Sequence, residues 1–549
     1  MGKFGNIMDG QTKIFDKDEI HIYDKDTVKA DYAFSNNDAS CKHIWCRLKD
    51  KKNIVIDGGG SLLLFHDRIT PFLLDGCENI CLRNFTIDYD RPFFTQGTIL
   101  RADAQSVELD IYEEYPYRVE GKNLIIEADE WENDLHDGIM LFQEFDPQTG
   151  SLAYDAPVLI YRVGEDAEVD LTAPLPMKIL TAEKTENNTL RLYGEFPWHY
   201  TVGNELVMTH EKRWNPGIGL TNCKNIRLEN IHIIHTGSMG VIAQLSRDIV
   251  LDHVKVARGN HAERRISTNC DATHFVACSG KIELTDCTLE HMMDDGVNVH
   301  GVYTRVDKKC GGSTVETRLM HFQHFGVEFY RPGDQVNVYC GHTSVTRAKR
   351  IVKSVEMTAP DKILLEFTEP AEELQPGDFI ENMTATPELY INRLRTGYNR
   401  PRGVLPTTPK KVVIENSVFY NSGYGIHIAG DTRFWYESGA VNDVVIRNNR
   451  FINCGHDMGN FSIAVTPEYM PVREKSFFHR NIIIENNLFE SFLDGMVYAC
   501  GVKGLKVRNN RFIRTDTYRK RMNTAPVVIY QCSDVESSVQ IEEMHEAMV

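Results

Sequence analysis

Asn225-Ile-Arg-Leu-Glu-Asn-Ile-His-Ile233 is followed 23 residues later by Asp248-Ile-Val-Leu-Asp-His-Val-Lys-Val256, and then by Lys281-Ile-Glu-Leu-Thr-Asp-Cys-Thr-Leu289. Apolar and polar residues alternate within each copy, and the copies recur at the spacing of one coil. This points to a parallel β-helix and away from an α-solenoid. The same strand stands earlier as Asn79-Ile-Cys-Leu-Arg-Asn-Phe-Thr-Ile87. Late copies begin at Val412, Val444, Ile482 and Leu505 and end on Phe419, Phe451, Phe489 and Phe512. The 23 residues from Ile482 to Leu505 are a bare coil, and the 38 from Val444 to Ile482 are a coil carrying a loop. Asn and Gly at the corners supply left-handed backbone. Asn416, Asn448, Asn486 and Asn509 align at one corner and are expected to form an internal amide ladder. The strong preference of parallel crossovers makes the helix right-handed.

The repeat is interrupted twice. Gln96-Gly-Thr-Ile-Leu100, Ser106-Val-Glu-Leu-Asp110 and Thr189-Leu-Arg-Leu-Tyr193 fill the first gap; Tyr330-Arg-Pro-Gly-Asp-Gln-Val-Asn-Val-Tyr339 and Lys362-Ile-Leu-Leu-Glu-Phe-Thr368 fill the second. Both read as small antiparallel β-barrels. The expected fold is therefore all-β, a right-handed parallel β-helix with inserted small antiparallel β-barrel domains. Its expected boundaries are 1–90 for the N-terminal coils, 91–205 for the first insertion and 206–305 for the middle coils; 306–390 is the second insertion, 391–530 the C-terminal coils and 531–549 a tail.

With 549 residues the chain exceeds one ordinary core, which agrees with an elongated repeat. No run approaches the ~20 apolar residues of a membrane span. A net charge of −18 argues against nucleic acid and polyanionic glycans as partners. The thirteen Cys are an odd number with no zinc-like spacing; Cys270, Cys278, Cys287, Cys454 and Cys500 read as buried free thiols. The opening Met1-Gly-Lys-Phe-Gly-Asn-Ile-Met-Asp9 has no apolar signal core. The expectation is a cytoplasmic protein, or a secreted or periplasmic one whose leader has been removed. An elongated helix also offers lateral faces for a homo-oligomer.

Chemistry concentrates in Asn269-Cys-Asp-Ala-Thr-His-Phe275 and Met292-Met-Asp-Asp-Gly-Val-Asn-Val-His-Gly301. Asp271 stands 23 and 24 residues before Asp294 and Asp295, so the three acids fall on neighbouring coils, roughly 4.8 Å apart along the stack. Aligning Gly296 with Ala272, Gly425, Ser462 and Gly495 puts Val297, Thr273, Ile426, Ile463 and Met496 in one inward column. Val299, Phe275, Ile428, Val465 and Tyr498 form the next, so His274, Asn298 and His427 face outward, followed by His300, Gln244 and Thr466. A single corner aspartate is often structural, accepting backbone N–H bonds. Three together repel, and protonating one relieves the strain, as general-acid work requires. A glycosidase is the leading reading. A polygalacturonase-like hydrolase or a polysaccharide lyase on the same fold remains the alternative, although a lyase would want Lys or Arg as base. A non-catalytic adhesin would need no acid cluster.

The segment Cys278-Ser-Gly-Lys-Ile-Glu-Leu-Thr-Asp-Cys-Thr-Leu-Glu-His-Met-Met-Asp-Asp-Gly-Val-Asn-Val-His-Gly301 resembles glycoside hydrolase family 110, the α-1,3-galactosidases. So do Asp88-Tyr-Asp-Arg-Pro-Phe-Phe-Thr-Gln-Gly97, Phe72-Leu-Leu-Asp-Gly-Cys77 and, more loosely, Val327-Glu-Phe-Tyr-Arg-Pro-Gly-Asp334. The resemblance runs from about Lys52 to Phe512. It implies an inverting, metal-independent, exo-acting enzyme that releases terminal α-1,3-linked galactose from blood group B-type or linear glycans. Its catalytic acids would be Asp271, Asp294 and Asp295, without cofactor. Arg91, Trp214, His274, Asn298, His300 and Glu468 are the expected substrate-binding residues. Four of these have a plainer reading: Arg91 as a solvated arginine, Trp214 as a plug at a domain junction, the two histidines as structural.

Overall fold

Ile226 of strand Lys224–Ile233 lies between Ile80 of Glu78–Tyr89 and Ile249 of Arg247–Asp252, with all three strands parallel. Stacked in this way, each apolar position of the repeat meets its counterpart one coil away and the bore closes as a continuous core. The computed structural model describes residues 7–543, apart from 137, 139, 165–166, 168–176, 186–188, 211, 260–263, 342, 344, 469–476 and 520–522. Among the described residues there is no α-helix; nearly every element is a strand, wound into a parallel β-helix. No helix is long and apolar enough to cross a membrane. All thirteen cysteines are free, and the five singled out above are buried.

Each coil has three sides. One carries Lys224–Ile233 and its counterparts, and a short one carries Thr288–Glu290, Arg395–Gly397, Val418–Tyr420 and Arg450–Ile452. The third carries Val241–Gln244, Thr273–Val276 and the start of Val297–Gly311. Phe419, Phe451 and Phe489 stack inside, with ring centroids 4.8 and 4.9 Å apart.

The first interruption is a ring of strands between Phe94 and Thr209, closed by Met140–Asp146 against Glu205–Thr209; one pair in it, Leu159–Val163 with Met177–Lys184, is parallel. The second is an antiparallel ring that begins on Val297–Gly311 itself and ends with Phe379–Asn382. The core of the first barrel runs into that of the helix, whereas the second barrel has its own cluster around Val336, Leu365 and Phe367.

Three expectations need correction. The helix does not stop at 530: Ser533–Ser537 pairs with Val502–Arg508, and Ile541–Glu543 with Val527–Tyr530, while residues 544–549 lie outside the described residues. At the other end, Thr12–Ile14 and Glu19–Ile22 already pair with Lys52–Phe65. Asn416, Asn448, Asn486 and Asn509 hold left-handed corners (φ 54–56°), and the buried ladder is one residue further on. There Asn449 Nδ2 donates to Asn487 Oδ1 at 3.1 Å, and Asn487 Nδ2 to Asn510 Oδ1 at 3.0 Å. Finally, Ile463 pairs with Val497 and Val465 with Ala499, so the last column is displaced by one residue from Met496 and Tyr498.

Candidate active site

Thr273 pairs with Val297, His274 with Asn298 and Val276 with His300, the register expected from the sequence for these coils. The Ala272 N–H donates to the Asp295 carbonyl at 2.8 Å and the Gly296 N–H to the Arg402 carbonyl at 3.0 Å. Asp271, Asp295 and Arg402 therefore form one column. Gly296 is required at this corner, because a Cβ there would lie 2.5 Å from the Gly403 carbonyl oxygen. Asp294, one residue earlier, turns out of the column, and its carbonyl accepts the Asn399 side-chain amide at 2.7 Å.

The structure brings the three acids together: one oxygen of each lies within 4.8 Å of the others. Their surroundings differ. Asp294 is 26% exposed and accepts from Arg213 Nη2 at 2.9 Å. Asp295 is 1% exposed; Arg402 Nη2 donates to its Oδ2 at 2.8 Å, and Arg402 Nε lies 2.8 Å from its Oδ1. Asp271 is 3% exposed and, among the described residues, meets no Lys or Arg side chain directly; its Oδ2 lies 2.6 Å from His274 Nδ1. Burial, reinforced by the Asp294 charge, pushes the Asp271 carboxyl well above the usual carboxylate range. Burial pushes Asp295 up as well, opposed by the Arg402 guanidinium.

His274 and His300 are fully buried, each 1% exposed, and do not line an opening for sugar as the sequence reading had them. His300 Nε2 lies 2.8 Å from His274 Nε2, and His300 Nδ1 lies 2.6 Å from the Gly301 carbonyl. Burial holds His274 down to about 4 and His300 well below its ordinary value, which favours the neutral rings. Asn298 donates to Glu437 Oε2 at 3.4 Å, and Asn36 to Glu437 Oε1 at 2.8 Å.

The other expected binding residues sit elsewhere or at the edge. Arg91 is buried at the first barrel and donates to the carbonyls of Pro92, Phe94 and Glu127 and to Thr95 Oγ1. It clamps the junction, with four of its five N–H groups committed there. Trp214 is half-buried beneath Arg68 and Lys212, and its carbonyl accepts from Lys42 at 2.5 Å. Glu468 is exposed; its backbone forms an isolated β-bridge with Asp431, and the Arg402 charge acts on its carboxyl. Sequence reasoning missed Arg213, Arg402, Glu437 and Trp435, whose indole lies 5.2 Å from the Arg213 guanidinium. A groove of about 1010 Å³ between the second barrel and the late coils is lined by Asn337, Lys349, Lys410 and Arg480, but by none of the acids.

Two clusters here have metal-like donors: the three aspartates, and His274, His300 and Glu437. The aspartates already face two guanidinium groups, which disfavours a further cation. Surface groups at Asp24, His43 and Asp67 and at Asp252, His253 and Asp286 also include carboxylates paired to Lys29, Arg227 and Arg393.

Residues 95–206 match the sequence profile of the GLAA-B β-barrel domain I, and residues 314–380 that of domain II. Over 93% of this chain and 82% of its own length, α-1,3-galactosidase A of Shewanella woodyi is 33% identical. α-1,3-Galactosidase B of Bacteroides thetaiotaomicron is 31% identical over the same shares. The chain belongs to the α-1,3-galactosidases of glycoside hydrolase family 110. For a member of family 110, the matched profiles fall on the two barrels, and the acids lie on the coils between them.

Proposed function

We propose that the protein is an exo-acting hydrolase that removes terminal α-1,3-linked galactose from blood group B-type or linear glycans, with inversion at the anomeric carbon. The supporting observation is the asymmetric trio: two buried, stacked carboxylates and one that reaches solvent. An inverting enzyme needs an acid on the leaving oxygen and a base for water on the opposite face. Asp271, the buried carboxyl that no guanidinium neutralises, protonates the leaving oxygen. Asp294 and Asp295, each paired to an arginine, hold and deprotonate the water. Their nearest oxygens are within 4.8 Å, closer than the ~6.5–9.5 Å of an inverting pair. In this reading Asp294 is the arm that swings aside from Arg213 to admit sugar and water. The same spacing favours a second reading, retention through a covalent intermediate, for which ~5–5.5 Å is usual.

Proton NMR of the first-formed sugar, with branched and linear α-1,3-galactosides, tests both. β-Galactose appearing first is expected, α-galactose supports retention, and an unsaturated, ultraviolet-absorbing product would put the protein among the lyases. Turnover in excess EDTA is expected to equal that without it; loss under chelation contradicts the metal-independent reading.

A further inference from the structure

The His274–His300 contact poses a problem of proton counting. The Gly301 carbonyl can only accept, so His300 Nδ1, 2.6 Å away, carries a hydrogen. A neutral His300 then has a bare Nε2. That atom faces His274 Nε2 at 2.8 Å, and two bare nitrogens at this distance repel; the hydrogen between them belongs to His274. With Nε2 protonated, a neutral His274 has a bare Nδ1, 2.6 Å from Asp271 Oδ2. The hydrogen there comes from the carboxyl. Moving it onto Nδ1 gives an imidazolium beside a carboxylate, with the same proton count.

We propose that His274 and His300, anchored on the Gly301 carbonyl, are positioning residues that keep one proton resident on the Asp271–His274 pair. The three carboxylates are then balanced one by one: Asp294 by Arg213, Asp295 by Arg402, and Asp271 by this proton. Glu437, with its Oε1 3.5 Å from His300 Nε2, and the neutral His324 are the other titratable groups facing the relay. A metal on His274, His300 and Glu437 is the competing occupant, but two imidazole nitrogens on tetrahedral zinc stand ~3.3 Å apart, not 2.8 Å.

The effect on rate rests on the hydrolase reading; the proton count does not. In turnover the resident proton passes from Asp271 to the leaving oxygen as the glycosidic C–O bond breaks. Water adds to the anomeric carbon and gives one proton to the Asp294–Asp295 carboxylates, and that proton is passed back to Asp271 before the next cycle, so the pair ends as it began. Rate should fall on the alkaline side where the pair loses its proton.

Nitrogen-15 correlation spectra of the histidine rings of the intact protein at neutral pH read the proton positions without any substrate. A hydrogen on His274 Nε2 and on His300 Nδ1 is expected, whichever atom holds the shared proton. A bare His274 Nε2, or a stoichiometric divalent metal found by elemental analysis, overturns the proposal. The pH profile of kcat/KM then tests the consequence. His300→Leu removes the acceptor for His274 and should move the alkaline limb down by about one pH unit, the effect of one lost buried hydrogen bond. His300→Gln keeps an amide N–H for Gly301 and an oxygen for His274 and should restore the limb. A purely structural role would lower activity in both variants with the limb unmoved, and that result also overturns it. If galactose release itself is absent, the spectra still decide the proton count.

Discussion

Asp295 lies where water does not reach it, and Arg402, which follows it in the column, opposes the upward push of burial on its carboxyl. Arg402→Met should destabilise the folded protein by about 3 kcal/mol at neutral pH, the usual cost of orphaning a buried charge. The loss should shrink as pH falls, since an unpaired Asp295 has its carboxyl pushed up and escapes the penalty by protonating; denaturant melts at two pH values check the sign. Asp271→Asn, Asp294→Asn and Asp295→Asn should each cost on the order of 10²-fold or more in kcat. Unchanged melting points would separate chemistry from folding. The placing of the acids was legible because Asp271 and Asp295 each precede a small residue at a fixed corner, with Asp294 beside them. Arg402 was legible by the same rule: it precedes Gly403, whose coil was left out when the corner glycines were aligned. Glu437 was not. It reaches the site from a loop whose short strand Glu437–Ser438 pairs antiparallel with Gly301 and Val302, and the repeat carries no trace of it.

Among the elements, the asparagine ladder shows how a repeat can be read correctly and placed one residue out. Two asparagines stand side by side in Asn448-Asn449 and Asn486-Asn487; the first takes positive φ and the second turns inward. Only the inward one is buried, and backbone geometry, not composition, decides which. Asn487 accepts from the Asn449 backbone at 2.9 Å and donates to the Ile446 carbonyl at 3.0 Å. Asn487→Ala should therefore leave several buried groups unpaired and cost about 3 kcal/mol in chemical denaturation, with galactosidase rate preserved because the acids lie on another side of the coil. The displaced column at Val497 has a similar origin. Phe419 and Ile426 are seven residues apart, but the stacked Phe489 and Val497 are eight apart, so one extra residue sits in the corner. A glycine match alone cannot detect it.

For the whole molecule, buried histidines should govern acid sensitivity. Burial holds His235, His324 and His479 down to about 3 and His274 to about 4. Above pH ~6.5 neither the folded nor the unfolded chain protonates these rings. Below it the unfolded chain takes up protons that the folded chain refuses, so stability falls with pH by about 1.4 kcal/mol per unit per ring. Glu381, buried and pushed up to about 7, works in the opposite sense, as do Asp271 and Asp295, but among the described residues the histidines held down by burial, His210, His291, His321 and His456 included, outnumber the carboxyls pushed up. Melting temperature should drop steeply between pH 6.5 and about 4.5. The two barrels were legible as gaps in the repeat, and their closure follows from antiparallel pairing across each gap. Their position along the chain has a further consequence during synthesis. Asn225 completes its ladder contact with Asn79 across a separation of 146 residues, the length occupied mostly by the first barrel. At ~5–20 residues per second, the early coils wait roughly 7–30 s on the ribosome with the edge of Glu78–Tyr89 uncovered. For that interval the nascent chain presents an open parallel edge, the surface most prone to pairing with a neighbour on the same polysome.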